Sequence, residues 1–393
     1  MKEALKSLIR RYPWAWHLWT QRRARQLEDA YRRHRELYAR MERRPRPLAN
    51  ASKPRTLGDV HTFAIIPMVS WHSWLLPDLR ELGPLSHFDY PYRPWRAPDL
   101  AAWRKETNDR LLREFAQAHE RRPVDWVFSY SESSHLLAST IRRIRTDFGV
   151  PCVNMCLDDK QSWDIGVVGE QRMGSSALAE AFDLWWTSAR VTVDWVNAAG
   201  GHAIYLPEGC LASSFPEEEL PYSIPISFVG VGYGRRVQMV RFLRKHGIPV
   251  QTFGRGWGKA SEVPDAKLVE IFRTSQINLG HGGVGCSETL TNVKGRDFDV
   301  PCAGGGVYLT TFNPDLAQHF TIGQEILCWH SYDDLLEQVR WYLDRPELCR
   351  EIARRARARC LREHRWLHRY QTILEHLGIL APSADRGEPR VTA

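Results

Sequence analysis

Asn278-Leu-Gly-His-Gly-Gly-Val-Gly-Cys-Ser-Glu-Thr-Leu-Thr-Asn-Val-Lys-Gly-Arg-Asp-Phe-Asp-Val-Pro-Cys-Ala-Gly-Gly-Gly-Val-Tyr-Leu-Thr310 decides how this chain folds. It opens on the end of an apolar strand, breaks into a glycine-rich loop over 280–285, and closes on a second short strand, Val307-Tyr-Leu-Thr310. Between the strands Lys294, Arg296, Asp297 and Asp299 fall within six positions, followed by Pro301 and the run Gly304-Gly305-Gly306. Cations and bare backbone N–H groups at the C-terminal ends of parallel strands suit phosphate, and carboxylates there suit ribose hydroxyls. The stretch reads as a nucleotide-diphosphate pocket.

Outward from it, the same unit recurs. Ile226-Ser-Phe-Val229 is a strand, Gly230 to Gly234 a glycine turn, and Arg236 to His246 a helix; 250–254 is the next strand and 265–275 the helix that feeds the opening stretch. Beyond it the pattern gives a helix at 314–320, a strand at 325–329, and helices at 332–344, 346–363 and 366–377. The first half repeats the alternation, with strands at 62–69, 124–130, 151–157, 183–188 and 202–209 and helices at 75–82, 100–121, 136–148 and 190–199. Residues 70–74 and 131–135 read as polar loops after strands, and 90–98, rich in aromatics and proline, as a wall or lid. Repeated strand–helix units predict an α/β protein with two Rossmann-like, doubly wound domains at 60–210 and 225–363. Residues 211–224 are the hinge-like connection, 364–380 a terminal helix, and 381–393 a disordered tail.

A chain of 393 residues, 43% of them apolar, can bury more than one core. No run approaches the length of a membrane span, and no signal-peptide pattern opens the chain, so a cytoplasmic location is expected. The eight cysteines are scattered and read as free thiols of a reducing compartment. Residues 1–46 hold 14 basic and five acidic side chains, while the remaining chain carries a net charge of −1. This basic helical extension, broken at Pro13, places Trp16, Trp19, Leu27, Tyr31 and Leu37 among arginines. It is either a solvated helix packed by its aromatic face, or an attachment to an anionic membrane surface, a polyanionic acceptor or a partner protein. Its removal is expected to spare hydrolysis of a free donor. With no helix-turn-helix, zinc or aromatic RNA-binding motif beside the charge, nucleic acid is the partner least expected.

Several ordered blocks carry a family likeness. Ser227-Phe-Val-Gly230 with Gly234-Arg-Arg236, Val250-Gln-Thr-Phe-Gly254 with Gly256-Trp257, Lys294-Gly-Arg-Asp-Phe-Asp-Val-Pro301, Asn313-Pro-Asp-Leu316, Gly323-Gln-Glu-Ile326 and Arg362-Glu-His364 together resemble the CgeB-like glycosyltransferases, relatives of glycosyl transferases group 1. The likeness covers 225–375 strongly and 60–215 weakly. It implies the GT-B fold, two Rossmann-like domains facing across a cleft, with a nucleotide-sugar donor on the second and the acceptor on the first. It further implies transfer of a sugar, as in hexosyltransferases, to an acceptor hydroxyl without a required metal or other cofactor, the nucleotide-sugar serving as co-substrate.

On the donor side the resemblance points to Gly232, Arg235, Arg236, Trp257, His281, Gly282, Lys294, Arg296, Asp299, Gly304 and Gly305. Positive side chains there would stabilise the leaving diphosphate as its charge grows. Some have a plainer alternative: one of Arg235 and Arg236 as a solvated surface group, Trp257 as a packing tryptophan, Asp299 as a helix cap. Asp299 falls where related retaining enzymes place the second glutamate of a ribose-holding pair; Thr291 occupies the first position, with Glu288 nearby. That incomplete pair leaves room for a different class of function, a nucleotide-sugar-binding or assembly protein without turnover. On the acceptor side Asp158 and Asp159 end a strand where related enzymes place a catalytic residue, with His135 also a candidate and Glu132 and His72 behind it. The alternative is a turn that caps the next helix. No Gly-x-Ser-x-Gly, His-Glu-x-x-His or Walker loop is present, which removes support for hydrolase, zinc-protease and ATPase readings.

Overall fold

The structure is a computed structural model that describes residues 13–42, 54–67, 69–94, 97–168, 171–258, 261–287 and 289–382. The chain divides into two compact units. One holds residues 34–211 together with the segment from Arg365 onward; the other holds Ala212–His364 together with the N-terminal residues up to Arg33.

In the first unit the strands are β1 (Thr62–Ile65), β2 (Leu85–Phe88), β3 (Trp126–Ser129), β4 (Cys152–Cys156), β5 (Gly166–Val168), β6 (Gln171–Met173), β7 (Leu184–Thr187) and β8 (Ala203–Tyr205). Six of them form one parallel sheet in the order β2-β1-β3-β4-β7-β8, and β5 and β6 form a separate antiparallel hairpin. Every residue of β1, β3 and β7 is buried. Strands covered by helices on both faces must be apolar along their whole length, which is why these runs are legible without alternation. Crossover helices Val69–Leu82, Leu100–Arg121, Ala138–Phe148 and Arg190–Ala198 connect them.

The helix Trp366–His376 belongs to this unit although it is the last described helix of the chain. Tyr370 donates to the Leu75 carbonyl, and the buried Asp78 accepts from the Leu367 amide at 2.8 Å and from Arg365 at 3.2 Å. Its aromatic face meets β7, with the Trp366 and Trp186 rings 5.9 Å apart.

Three elements differ from expectation. Residues 70–74 are not a loop but the first turns of helix Val69–Leu82. β2 and the β5–β6 hairpin carried no apolar signal, because β2 is a four-residue edge strand and the hairpin is largely exposed.

The second unit contains β9 (Ile224–Val229), β10 (Gln251–Phe253), β11 (Ser275–Leu279), β12 (Val307–Thr311) and β13 (Leu327–Trp329), all parallel, in the order β10-β9-β11-β12-β13. Its core sets Ile226, Phe228, Ile277 and Leu309 against Met239 and Leu335 of the covering helices. The polar middle of the opening stretch is in part a helix, Arg296–Ala303, with Pro301 inside it. It ends on Gly304 in the left-handed conformation that favours glycine. At the neighbouring Gly305 a β-carbon would lie 2.4 Å from the Arg273 backbone, and at Gly306 2.0 Å from the Ser275 carbonyl. This run precedes β12, at the end of the sheet opposite the strand C-termini. Gly304 and Gly305, expected among the donor contacts, are therefore packing glycines, and that expectation is corrected.

The described part of the basic extension forms one helix, Pro13–Ala39. Thr20 and Ala24 are buried, Leu27 and Tyr31 half-buried, while Arg22, Arg25, Arg32 and Arg35 face outward. Leu37, expected on the apolar face, is 55% exposed, and the stripe continues instead through Tyr38, stacked on Trp195 and edge-on to Trp163. The remainder of 1–46 and the tail from 383 lie outside the described residues. Among the described residues no helix is long and apolar enough to cross a membrane.

Candidate functional site

In an open parallel sheet ligands bind beyond the strand C-termini where the strand order reverses. In the second unit that point lies between β9 and β11, because the chain steps from β9 to β10 on one side and then returns to β11 on the other. The loop after β9 begins at Gly230, whose φ of +138° only glycine adopts readily. A β-carbon there would stand 2.8 Å from Nη2 of Arg296, so this guanidinium lies directly on the Gly230 backbone. It also sits over the Phe228 ring, 5.5 Å from its centre.

Arg236, in the first turn of helix Gly234–Lys245, is 7% exposed. Its guanidinium lies 4.5 Å from the Tyr233 ring centre and donates to the Val231 carbonyl at 3.3 Å, while its Nε is buried with no hydrogen-bond partner. Burial, and then the charge of Arg296, push its pKa down to about 10. Arg235 donates to Gln238 at 2.8 Å and interacts with the Tyr332 hydroxyl.

His281 follows β11. Its Nδ1 accepts the Gly283 amide at 3.1 Å, which leaves the ring proton on Nε2. Burial first, then Arg236, Arg296 and Arg235, hold its pKa down at about 3, so it is neutral at physiological pH. A cavity of about 380 Å³ adjoins this group, with Arg235, His281, Thr291, Thr311, Trp329 and Tyr332 among its walls.

The carboxylate that follows Arg296 in the chain faces inward. Asp297 is fully buried, accepts the Tyr308 hydroxyl at 2.6 Å and the Lys294 amide at 2.7 Å, and burial raises its pKa. Asp297, rather than Asp299, thus ties down the start of helix Arg296–Ala303; Asp299 lies in the first turn of the same helix and Lys294 in the turn before it. Trp257 donates its indole N–H to the Gly230 carbonyl at 2.7 Å, and its ring lies so close to Gly232 that a β-carbon there would approach to 2.8 Å. It braces the glycine turn, as the packing alternative expects. The Gly282 amide donates to Thr311 at 2.8 Å. Glu288 lies outside the described residues.

The first unit has its own cavity, of about 410 Å³, at the C-terminal ends of β3 and β4. Its walls include Tyr130, Glu132, His135, Leu157, Asp158 and Trp185. Asp158 is exposed and begins the short helix Asp159–Ser162; its backbone carbonyl accepts from Gln161 and Ser162, but its side chain makes no capping bond. Asp159, one residue on, points the other way. It is completely buried, accepts the Trp185 indole N–H at 3.1 Å, and has its pKa raised by burial against the opposing Cys156, Ser175 and Thr187 side chains. Asp159 is structural, which corrects its place among the catalytic candidates.

His135 is also buried, with Nε2 2.8 Å from the Arg93 carbonyl and edge-on contacts to Tyr90, Tyr92 and Trp103. Burial lowers its pKa, so it is a neutral group that anchors the 90–94 loop. His72 lies within a helix, its Nε2 2.9 Å from the Ile66 carbonyl.

The sequence reading missed Thr311, Trp329 and Tyr332. All three sit at or just beyond the end of β12 or β13. Taking the residues that close every strand, rather than only those in the glycine-rich stretch, would have found them.

The two parallel sheets with these strand orders define the GT-B fold. Residues 235–375 match the family described as glycosyl transferase-like. Among solved structures the chain is similar to a sucrose-phosphate synthase from Thermosynechococcus elongatus, with 12% identity, TM-score 0.52, and coverage of 80% of this chain and 98% of that one. It is likewise similar to a glycosyltransferase from Rickettsia africae ESF-5, with 9% identity, TM-score 0.54, and coverage of 81% and 99%. No curated protein matches it by sequence.

Proposed function

We propose that this chain is a glycosyltransferase that binds a nucleotide-sugar on the second unit and transfers its sugar to an acceptor hydroxyl. Arg235, Arg236 and Arg296 hold the diphosphate, and their charge stabilises the leaving group as the glycosidic bond breaks. The observation that carries this reading is the gathering of three arginines near His281, with Arg236 buried, the Arg296 guanidinium lying on the Gly230 backbone and Arg235 lining the cavity beside the His281 ring. Such a concentration of positive potential at a strand switch point is costly without an anion to answer it. The His281 Nε2–H is then available as a neutral donor to a sugar hydroxyl or phosphate oxygen.

The cations take the part a divalent ion would otherwise play, so the reaction is metal-independent in this proposal. Asp158, at the cavity of the first unit, is the base or the front-face assistant for the acceptor. The finer assignments are a CgeB-like subfamily, a hexosyl donor and a cytoplasmic setting in which the outward arginines of helix Pro13–Ala39 meet an anionic surface.

The deciding experiment is a panel of nucleotide-sugars, scored for binding and for donor hydrolysis or transfer. Turnover of at least one member is expected. Binding throughout with no turnover would support the non-catalytic alternative, and no binding at all would refute the donor site.

A further inference from the structure

We propose that Glu28 is a positioning residue for the donor site, holding the 282–292 loop in the shape that presents His281 and Thr291 to the cavity. The proposal rests on the donor reading above. It joins the N-terminal helix, whose removal was expected to spare donor chemistry, to the donor pocket itself.

The loop is closed at its base. The Asn292 amide donates to the Gly282 carbonyl at 2.9 Å, the Val284 amide to Leu290 at 2.8 Å, and Gly283 pairs with Thr291 in an antiparallel bridge. At its far end stands Ser287, 1% exposed. The Ser287 hydroxyl accepts the Thr289 amide at 3.2 Å and the Leu290 amide at 2.9 Å, and it donates to Oε1 of Glu28 at 2.5 Å. The Thr289 hydroxyl donates to the same oxygen at 3.2 Å. Along the helix Thr20 and Ala24 are buried and Glu28 half-buried, positions four apart that lie on one face. These N-terminal residues and the loop belong to the same compact unit.

A serine hydroxyl has one proton and two lone pairs. With its proton given to Glu28, both lone pairs face the two amides that close the loop. Once the carboxylate is removed, the buried proton turns to another acceptor, and the hydroxyl can no longer receive both amides. The disturbance passes along the loop to Thr291 at one end. At the other it reaches His281, whose Nδ1 depends on the Gly283 amide.

The test uses the full chain as wild type, Glu28→Ala, Glu28→Gln, Ser287→Ala and the double alanine variant, with UDP as the calorimetric probe and hydrogen–deuterium exchange of 282–292 without nucleotide. Glu28→Ala and Ser287→Ala should each weaken UDP binding about three- to tenfold, the factor for one ordinary hydrogen bond. The double variant should lose less than the sum of the two single losses, because the Ser287–Glu28 hydrogen bond is removed in both, while the Thr289–Glu28 bond and the two amide bonds to Ser287 are not shared. Glu28→Gln keeps an accepting oxygen and should bind UDP within about twofold of wild type. With a turned-over donor, KM should rise while kcat holds. Exchange in the loop should quicken in Glu28→Ala and not in Glu28→Gln.

Wild-type affinity and wild-type exchange in Glu28→Ala, or strictly additive losses, would overturn the proposal. So would Glu28→Gln as impaired as Glu28→Ala. A wild-type protein that binds no UDP but binds another member of the nucleotide-sugar panel moves the calorimetry to that member's nucleoside diphosphate. Failure with the whole panel counts against the donor reading instead, and the exchange measurement, which needs no nucleotide, decides on Glu28 in either case.

Discussion

Replacing Arg236 by methionine should make the unliganded protein more stable and a worse nucleotide binder. Arg236 is charged at neutral pH, nearly buried, and faces the charge of Arg296. Its pKa of about 10 means that the folded state holds this proton more weakly than the unfolded chain does. The sign follows from linkage: the charged form destabilises the fold at every pH below about 10, and the penalty fades only as pH rises above that value. At ~1.4 kcal/mol per tenfold change in proton affinity, the penalty at pH 7 is about 3 kcal/mol. Methionine replaces the guanidinium that lies over the Tyr233 and Phe228 rings with an uncharged thioether that can pack on them, so a net gain of about 1–3 kcal/mol is expected after some packing is lost. Bound diphosphate reverses the balance, because a charge-assisted contact of about 1.5–3 kcal/mol disappears, which is roughly a tenfold to hundredfold loss of affinity. Urea denaturation at pH 7 without nucleotide, beside calorimetric titration with UDP, reads both quantities. A less stable variant would refute the account of an uncompensated buried charge, and an unchanged UDP affinity would remove Arg236 from the phosphate site.

His281 gives a second pH test. Its folded pKa near 3 lies below the ordinary histidine value, so its contribution to stability is complete above about pH 6.5 and is lost progressively as pH falls toward 3. His281→Gln should therefore lose about 1–2 kcal/mol less than wild type between pH 7 and pH 5, measured by urea denaturation; parallel losses would show that the imidazole is not held neutral. Asp158→Asn should leave UDP affinity unchanged and lower transfer at least about a hundredfold, the contribution of a general base. Full transfer activity in that variant would take Asp158 out of the reaction.

Helix Pro346–Glu363 and the buried strands β3 and β7 could be read from sequence because their signal is local. An apolar run marks a two-faced strand, and proline marks a helix start, whatever lies around them. The strand–helix alternation of the second unit, the GT-B fold and the singling out of Arg235, Arg236 and Arg296 followed from such signals and from the family likeness, whereas β2 and the β5–β6 hairpin left none. What sequence could not separate were neighbours of like chemistry. Asp158 and Asp159 are both carboxylates, yet one opens on the cavity and the other is sealed against Trp185, because the chain turns into a helix between them. Asp297 and Asp299 differ too, the first being fully buried and drawn inward by Tyr308, a residue whose strand comes later in the chain, and the second half-buried in the same helix.

The glycines of 304–306 resembled a phosphate loop until the start of β12 put them against the backbone of Arg273 and Ser275. The return of helix Trp366–His376 to Asp78, and the reach of Glu28 to Ser287, join residues hundreds of positions apart. Composition and periodicity determine which faces must be buried, since that depends on each residue and its near neighbours. Which partner buries them, and which of two similar side chains meets the ligand, depends on contacts that exist only once the strands are ordered in the sheet.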